Sequence, residues 1–126
     1  MNENEDLIAL FKALFNDPKV ATQPGWQKLV LIGSVEGSTR IAGYSFDLAG
    51  NFKPVSPDLD SLLLLRDLHK SMRANNPNGR GWKSCLLRIA RNGEVNADFE
   101  YSDAARWEVT PNNLEKRIKE FAAMPI

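Results

Sequence analysis

The residues of this chain that could most clearly take part in binding or catalysis are four carboxylates within a short stretch: Glu94, Asp98, Glu100 and Asp103. Carboxylates at such spacing could bind a divalent metal ion, act as the acid and base of a glycosidase, or form an acidic surface for a basic protein. Residues two apart on a strand point to the same side, so Asp98 and Glu100 should share one face. No second acidic motif and no sugar-stacking pattern accompanies them. The pattern therefore favours a solvated sheet face or an acidic patch for a basic partner.

One histidine and one cysteine restrict the catalytic chemistry that the chain can perform. His69 has no second histidine for an acid–base pair or a histidine-rich metal centre, and we interpret it as a residue on the flank of a helix. Cys85 has no partner for an intramolecular disulfide, and it alternates with Leu87 and Ile89 as a packed thiol on a strand would. The serines form no nucleophile elbow, and the glycines form no phosphate-binding loop. We expect no catalytic residue, no cofactor, no metal ion and no enzyme activity.

Positive and negative charges balance over the whole chain but separate along it. The 16 Lys and Arg residues equal the 16 Asp and Glu residues, so the net charge is zero and a basic field for nucleic acid is absent. Basic residues dominate over residues 66–91, where only Asp67 is acidic, and acidic residues dominate over residues 94–108, where only Arg106 is basic. The two runs could screen each other on neighbouring strands, or one of them could form a binding patch.

The size and composition of the chain indicate one globular domain over residues 1–126. Its 43% of hydrophobic and 25% of charged residues are typical of globular proteins. The longest apolar run, residues 62–65, is far shorter than the roughly 20 residues of a membrane span. The acidic start MNENED is unlike a signal peptide. With a single cysteine as well, we expect a cytoplasmic protein that does not contact a membrane.

Hydrophobic periodicity predicts a first helix and a first hairpin. An apolar stripe at helical spacing covers residues 3–16: Leu7, Leu10, Phe11, Leu14 and Phe15. Residues 26–36 are aliphatic and β-branched, which predicts a strand. A Gly37-Ser38 turn leads into a second strand over residues 39–47. Lys53-Pro54-Val55 could add a short edge segment.

The second half of the chain repeats the order of helix and hairpin. Ser56-Pro57-Asp58 signals the start of a helix over residues 58–73, because a serine, a proline and an early aspartate suit the free amides of a helix start. Asn92-Gly93 lies between two further strand patterns and is the strongest short signal of a hairpin. Thr110-Pro111 precedes a last helix, with apolar residues at positions 114, 118 and 121.

A two-residue turn at Asn92-Gly93 would fix the register of the second hairpin. Leu86 would then pair with Phe99, and Leu87 with Asp98. Phe99 would share the buried face with Trp82 and Leu86. The opposite face would carry the acidic side chains Glu94, Asp98 and Glu100.

The complete layout, α-β-β-α-β-β-α, predicts an α+β fold. Two hairpins should form one antiparallel four-stranded sheet with the helices packed on it. Trp26, Trp82 and Trp107 are interpreted as core anchors rather than as platforms for a ligand.

Several of these features together resemble the YezG-like family of bacterial immunity proteins. The resemblance covers residues 7–107: an amphipathic helix, a tryptophan that opens a strand, a strand with a tyrosine, a leucine-rich helix, Gly81-Trp82 and the Asn92-Gly93 turn. Its most specific part is the stretch NGEVNADFEYSD, an alternating strand with an acidic ending. The first hairpin, with Gly33 and Gly43, is plainer than the more aromatic version in the family.

The resemblance implies a role in competition between bacteria. Such proteins bind the C-terminal domain of a polymorphic or contact-dependent toxin, often a nuclease, inside the cytoplasm and block it. The resemblance implies no catalytic residue and no direct contact with nucleic acid. A nuclease must present a basic surface to hold phosphates, so the candidate toxin-binding residues are the carboxylates Glu94, Asp98, Glu100 and Asp103. The alternative is a binding or regulatory module for a protein other than a toxin.

Overall fold

The computed structural model describes residues 3–126, which form three helices and five strands. The helices are α1 (Glu3–Asn16), α2 (Leu59–Asn75) and α3 (Leu114–Ala123), and the strands are β1 (Trp26–Ser34), β2 (Arg40–Asp47), β3 (Phe52–Val55), β4 (Ser84–Ala90) and β5 (Val95–Glu100). The α+β class is confirmed. The prediction of four strands in the order α-β-β-α-β-β-α was wrong, because β3 inserts a third strand before α2.

All five strands form one antiparallel sheet with the order β3-β2-β1-β4-β5. The short strand β3 lies at an edge, where Pro54 pairs with Tyr44 of β2. A proline is tolerated there because its missing N–H removes no bond from the interior of the sheet. Only Val55 of this strand is buried, so the segment carries no alternating apolar pattern that would have predicted it firmly.

Alternating side chains divide the sheet into two faces, which different elements cover. On the first, the helix-pair face, α1 and α2 pack over residues such as Leu29 and Leu87. On the second, the α3 face, α3 and the 101–109 segment pack over Val30 and Leu86. The protein is therefore built in three layers, and the central strands β1 and β4 bury side chains on both sides.

The second hairpin has a three-residue loop, and its predicted register was wrong by one residue. The Gly93 N–H donates to the Ala90 carbonyl at 3.0 Å, and the Ala90 N–H donates to the Glu94 carbonyl at 2.8 Å. Gly93 has a φ of +96°, as the last residue of such a loop requires. Phe99 consequently pairs with Cys85, and Asp98 with Leu86.

This shift changes the neighbours of Phe99 without exposing it. Phe99 packs with Trp82 on the helix-pair face, as predicted, whereas Leu86 lies on the α3 face. The error has a simple cause, since a glycine with positive φ suits both the two-residue and the three-residue loop.

A buried carboxylate joins the end of α1 to the start of α2. Asp17 accepts hydrogen bonds from the backbone N–H groups of Lys19 and Asp58, both at 2.8 Å. Lys19 in turn forms an ion pair with the Asp58 carboxylate at 2.5 Å. Asp58 is the N-cap residue, so α2 begins at Leu59, one residue later than predicted.

Helix α3 is held at both of its ends. At its start, Asn113 accepts a hydrogen bond from the Thr110 N–H at 2.7 Å, and the helix begins at Leu114 rather than directly after Thr110-Pro111. At its end, the Lys28 ammonium group of β1 donates to three carbonyl oxygens, those of Phe121 (2.6 Å), Ala122 (2.7 Å) and Met124 (2.8 Å). A cation at this position satisfies the unpaired carbonyls and suits the negative end of the helix dipole.

We predict that Lys28→Met destabilises the protein by about 1.5–3 kcal/mol, because hydrogen bonds from a charged group are worth about that much and three carbonyls lose their donor. Chemical denaturation monitored by circular dichroism would measure the change. Lys70→Met on the exposed side of α2 is the matched control and should stay within about 0.5 kcal/mol of the parent. Equal stability of both variants would show that Lys28 does not anchor α3.

We also predict that Trp82→Ala costs about 3–5 kcal/mol, because the side chain is 1% exposed and its ring lies against His69 and Phe99. Phe99→Ala should cost less, since Phe99 is only partly buried. Val95→Ala on the same strand removes a side chain that is 45% exposed and is the control. Thermal denaturation of the three variants would give this order, and a Trp82→Ala variant as stable as Val95→Ala would contradict it.

Candidate functional site

The four carboxylates predicted as the site lie directly before the outer strand β5, along it and in the segment that follows it. We call Glu94, Asp98, Glu100 and Asp103 the acidic edge. Glu94 is exposed in the hairpin loop, where its carboxylate accepts a hydrogen bond from the Asn92 side chain at 3.0 Å. It makes no ion pair within residues 3–126, so its charge faces solvent.

Asp98 is partly committed to an internal ion pair. Its carboxylate lies 2.7 Å from the Nη2 atom of Arg88, whose side chain is 9% exposed, while the Asp98 side chain itself is 51% exposed. The Nη1 atom of Arg88 donates to the Pro125 carbonyl at 2.7 Å. Asp98 therefore neutralises a buried cation that also holds the C-terminal residues, and it still presents an oxygen to solvent.

Glu100 builds the turn that leads away from β5. Its carboxylate accepts backbone N–H bonds from Ser102 (2.9 Å) and Asp103 (3.1 Å), and it pairs with Arg106 at 3.0 Å. The two backbone bonds first, and then Arg106, hold the pKa of Glu100 below its usual range. Asp103 accepts the Ala105 N–H at 3.0 Å. These two carboxylates thus fix the course of the chain toward Trp107.

The fold brings together only part of what the sequence predicts for this face. Glu94, Asp98 and Glu100 do lie on the side opposite Phe99, since Asp98 pairs with Leu86 and Phe99 with Cys85. That side is not an open solvated sheet face, because Trp107 and α3 cover Leu86. The two charge runs screen each other in part through the Arg88–Asp98 pair, whereas the Arg106–Glu100 pair lies within the acidic run. Among residues 3–126 no group of three or more His, Cys, Asp or Glu side chains is placed to hold a metal ion.

The free edge of β5 is closed to a further strand at its centre. The carbonyls of Glu94 and Glu100 bond to the neighbouring β4 side, so the odd-numbered residues between them point their N–H groups outward. The Asn96 side chain accepts the Ala97 N–H at 2.8 Å and so occupies one of these outward donors. A partner would therefore contact the acidic edge through side chains rather than by adding a strand.

His69 is partly buried and held by a backbone carbonyl, and Cys85 is fully buried. The His69 Nε2 atom lies 3.0 Å from the Trp82 carbonyl, which can only accept, so Nε2 carries the proton. Gly81 allows this approach, since a Cβ there would lie 2.5 Å from His69 Nε2. Burial lowers the pKa of His69, and the nearby Arg73 adds to this effect. Burial also raises the pKa of the Cys85 thiol to about 12, which keeps it protonated and unreactive.

An open groove lies on the α3 face and was not predicted from the sequence. Its volume is about 700 Å³, and none of the residues that line it belongs to a helix. Its apolar lining includes Ile32, Ala42, Tyr44, Pro54, Ala105 and Val109, and its exposed charged residues are Glu36, Arg40 and Glu108. Strands β1 to β3 supply one side and the 101–109 segment supplies the other, so only the folded chain brings these residues together. The one local signal of the groove in the sequence was the small Ala42 between the larger Arg40 and Tyr44, which lie on the same face of β2.

Comparison with known proteins adds no family to these observations, since no family model matches the chain and no curated protein matches it. None of the helices within residues 3–126 is long and apolar enough to cross a membrane.

We predict that the stability of the protein falls as the pH drops below the usual histidine pKa of 6.5. His69 has a lowered pKa in the folded state, so the unfolded state binds the additional proton and is favoured by acid. Above pH 6.5 both states are neutral and the contribution is fully present. Urea denaturation of the parent between pH 7.5 and 5.5 should show this loss, and His69→Gln should show less of it. An NMR titration that places the pKa of His69 at or above 6.5 would contradict the prediction.

Proposed function

We propose that this protein is an immunity protein that acts in the cytoplasm by binding a bacterial toxin domain of the nuclease class, without catalysing a reaction. The observation that carries the proposal is the acidic edge, whose carboxylates sit on a fixed backbone at one side of the sheet. Glu94 and Asp98 present charge to solvent from the hairpin, and Asp103 is held by its bond to the Ala105 N–H.

The chemistry of a nuclease explains why such an edge would bind it. A nuclease carries a basic surface that holds phosphates, and carboxylates in a rigid arrangement can compete for it. Opposite charges also speed the diffusional encounter of the two proteins. Glu100 contributes differently, because its oxygens are engaged by backbone amides and Arg106, so it supports the edge more than it contacts a partner.

The surroundings of His69 and Cys85 support binding rather than turnover. A general base must reach the proton it abstracts, and His69 instead donates to the Trp82 carbonyl and packs edge-on against the Trp82 ring. A cysteine nucleophile acts as the thiolate, whereas Cys85 is fully buried and protonated.

The proposal predicts that removal of charge from the acidic edge weakens toxin binding while the fold persists. The double variant Glu94→Gln and Asp103→Asn keeps an oxygen acceptor at each position, removes two charges and leaves the Arg88–Asp98 pair intact. Its association rate with the cognate toxin domain should fall about tenfold or more at low salt, because steering is electrostatic. The difference should shrink at high salt. Surface plasmon resonance at two salt concentrations would measure both effects.

The matched control is the pair Arg66→Gln and Lys70→Gln on the exposed side of α2, on the other side of the sheet. This variant should bind like the parent. A large loss in the control together with parent-like binding by the acidic variant would place the interface on α2 and imply an acidic partner. Failure of the parent to bind or inhibit the toxin domain would overturn the proposal and favour a module for another protein.

A further inference from the structure

We propose that the groove on the α3 face is an anchor site, which takes one apolar side chain of the partner from a segment whose flanking residues are lysine or arginine. This inference rests on the proposed function, in which the partner is a basic toxin domain. It assigns to the complex a second point of contact besides the acidic edge.

The floor of the groove is an apolar patch of sheet that the protein leaves uncovered. Ile32 pairs with Ala42 across β1 and β2, and Tyr44 pairs with Pro54 across β2 and β3. Ala42 and Pro54 are exposed, while Ile32 and Tyr44 are only partly buried. The methyl group of Ala42 leaves a depression between larger side chains. A volume of about 700 Å³ is ample for an aromatic or long aliphatic side chain, and its burial there would remove apolar surface of both proteins from water.

The charges at the rim select the residues that flank the anchor. Glu36 follows β1 on one side of the groove, and Glu108 belongs to the 101–109 segment on the other. Both carboxylates are exposed, and neither forms an ion pair with Arg40 or another group within residues 3–126. Two carboxylates against one guanidinium leave the rim acidic, which complements cationic residues on both sides of an apolar one.

The groove and the acidic edge belong to one continuous surface. The 101–109 segment that forms one side of the groove begins directly after Glu100, and the bonds of Glu100 and Asp103 to its backbone amides fix its course. Trp107 fastens the same segment to the sheet between them. A basic domain that approaches the acidic edge would therefore meet the groove on the same side of the protein.

Short peptides test the groove without the toxin. We would follow the methyl signals of Ile32, Ala42 and Val109 by NMR while adding the capped peptide Lys-Trp-Lys. Two matched peptides, Glu-Trp-Glu and Lys-Ala-Lys, lack the basic flanks and the anchor respectively. We expect saturable shifts at these methyl groups with Lys-Trp-Lys, and dissociation constants about tenfold weaker or more with the other two, because each loses one of the two recognition elements.

Variants then connect the groove to the peptide and to the toxin domain. Ala42→Trp fills the depression and should abolish the Lys-Trp-Lys shifts, whereas Ala74→Trp, an exposed control on α2, should leave them unchanged. Glu36→Gln with Glu108→Gln preserves the shape of the groove and should remove the preference for Lys-Trp-Lys over Glu-Trp-Glu. This second variant keeps the test decisive should Ala42→Trp fail to fold. With the toxin domain, Ala42→Trp should bind about tenfold more weakly or worse, because a filled pocket cannot accept an anchor.

The outcomes separate the two proposals. Shifts that are equal for the three peptides, that do not saturate, or that centre elsewhere would overturn the proposal that the groove is an anchor site. Parent-like toxin binding by Ala42→Trp, with weakened binding by the acidic-edge variant, would also overturn the anchor-site proposal. The proposed immunity function would then still hold. If the parent protein binds Lys-Trp-Lys selectively but does not bind the toxin domain, the result would support the groove as an anchor site and overturn the proposed immunity function.

Discussion

The bond between the Lys28 ammonium and the end of α3 is the interaction on which the arrangement of this protein depends. Strands β1 and β4 bury side chains on both sides of the sheet, so the sheet is stable only when both faces are covered. On the α3 face the cover is a ten-residue helix, which is too short to be stable by itself. Lys28 and Arg88 hold the carbonyls at and beyond its end, so two cations that rise from the sheet keep its second apolar layer in place.

Charged side chains of the acidic run also hold the structure together. Asp98 neutralises Arg88, and Glu100 replaces the missing partners of two backbone amides, so these two carboxylates stabilise the molecule. The consequence is an acidic surface with little freedom to rearrange. Under the proposed function this rigidity favours binding, because less side-chain entropy is lost when the partner docks.

The sequence could predict those features that local patterns determine, and it failed where distant segments decide. The amphipathic stripe of α1 and the alternation of β5 led to the correct elements, and the burial of Trp82 followed from its place beside the strand. The register of the second hairpin did not follow, since Gly93 suits either loop and the pairing of Phe99 with Cys85 is set only in the folded sheet. The short edge segment that the sequence indicated at Lys53-Pro54-Val55 is part of β3, but with only Val55 buried the pattern was too weak to add it to the predicted strand count. The groove combines β1, β2 and the 101–109 segment, so no window of sequence contains it.

The backbone N–H groups at the two edges of the sheet have a consequence for the protein in the cell. Pro54 offers no N–H on β3, and Asn96 occupies an outward N–H on β5, so neither edge is a good template for another strand. Copies of the chain are therefore discouraged from joining edge to edge into larger sheets. Under the proposed function the protein captures its target one-to-one and has to be present in excess over it, and these two small features let its concentration rise without the sheet becoming a seed for aggregation.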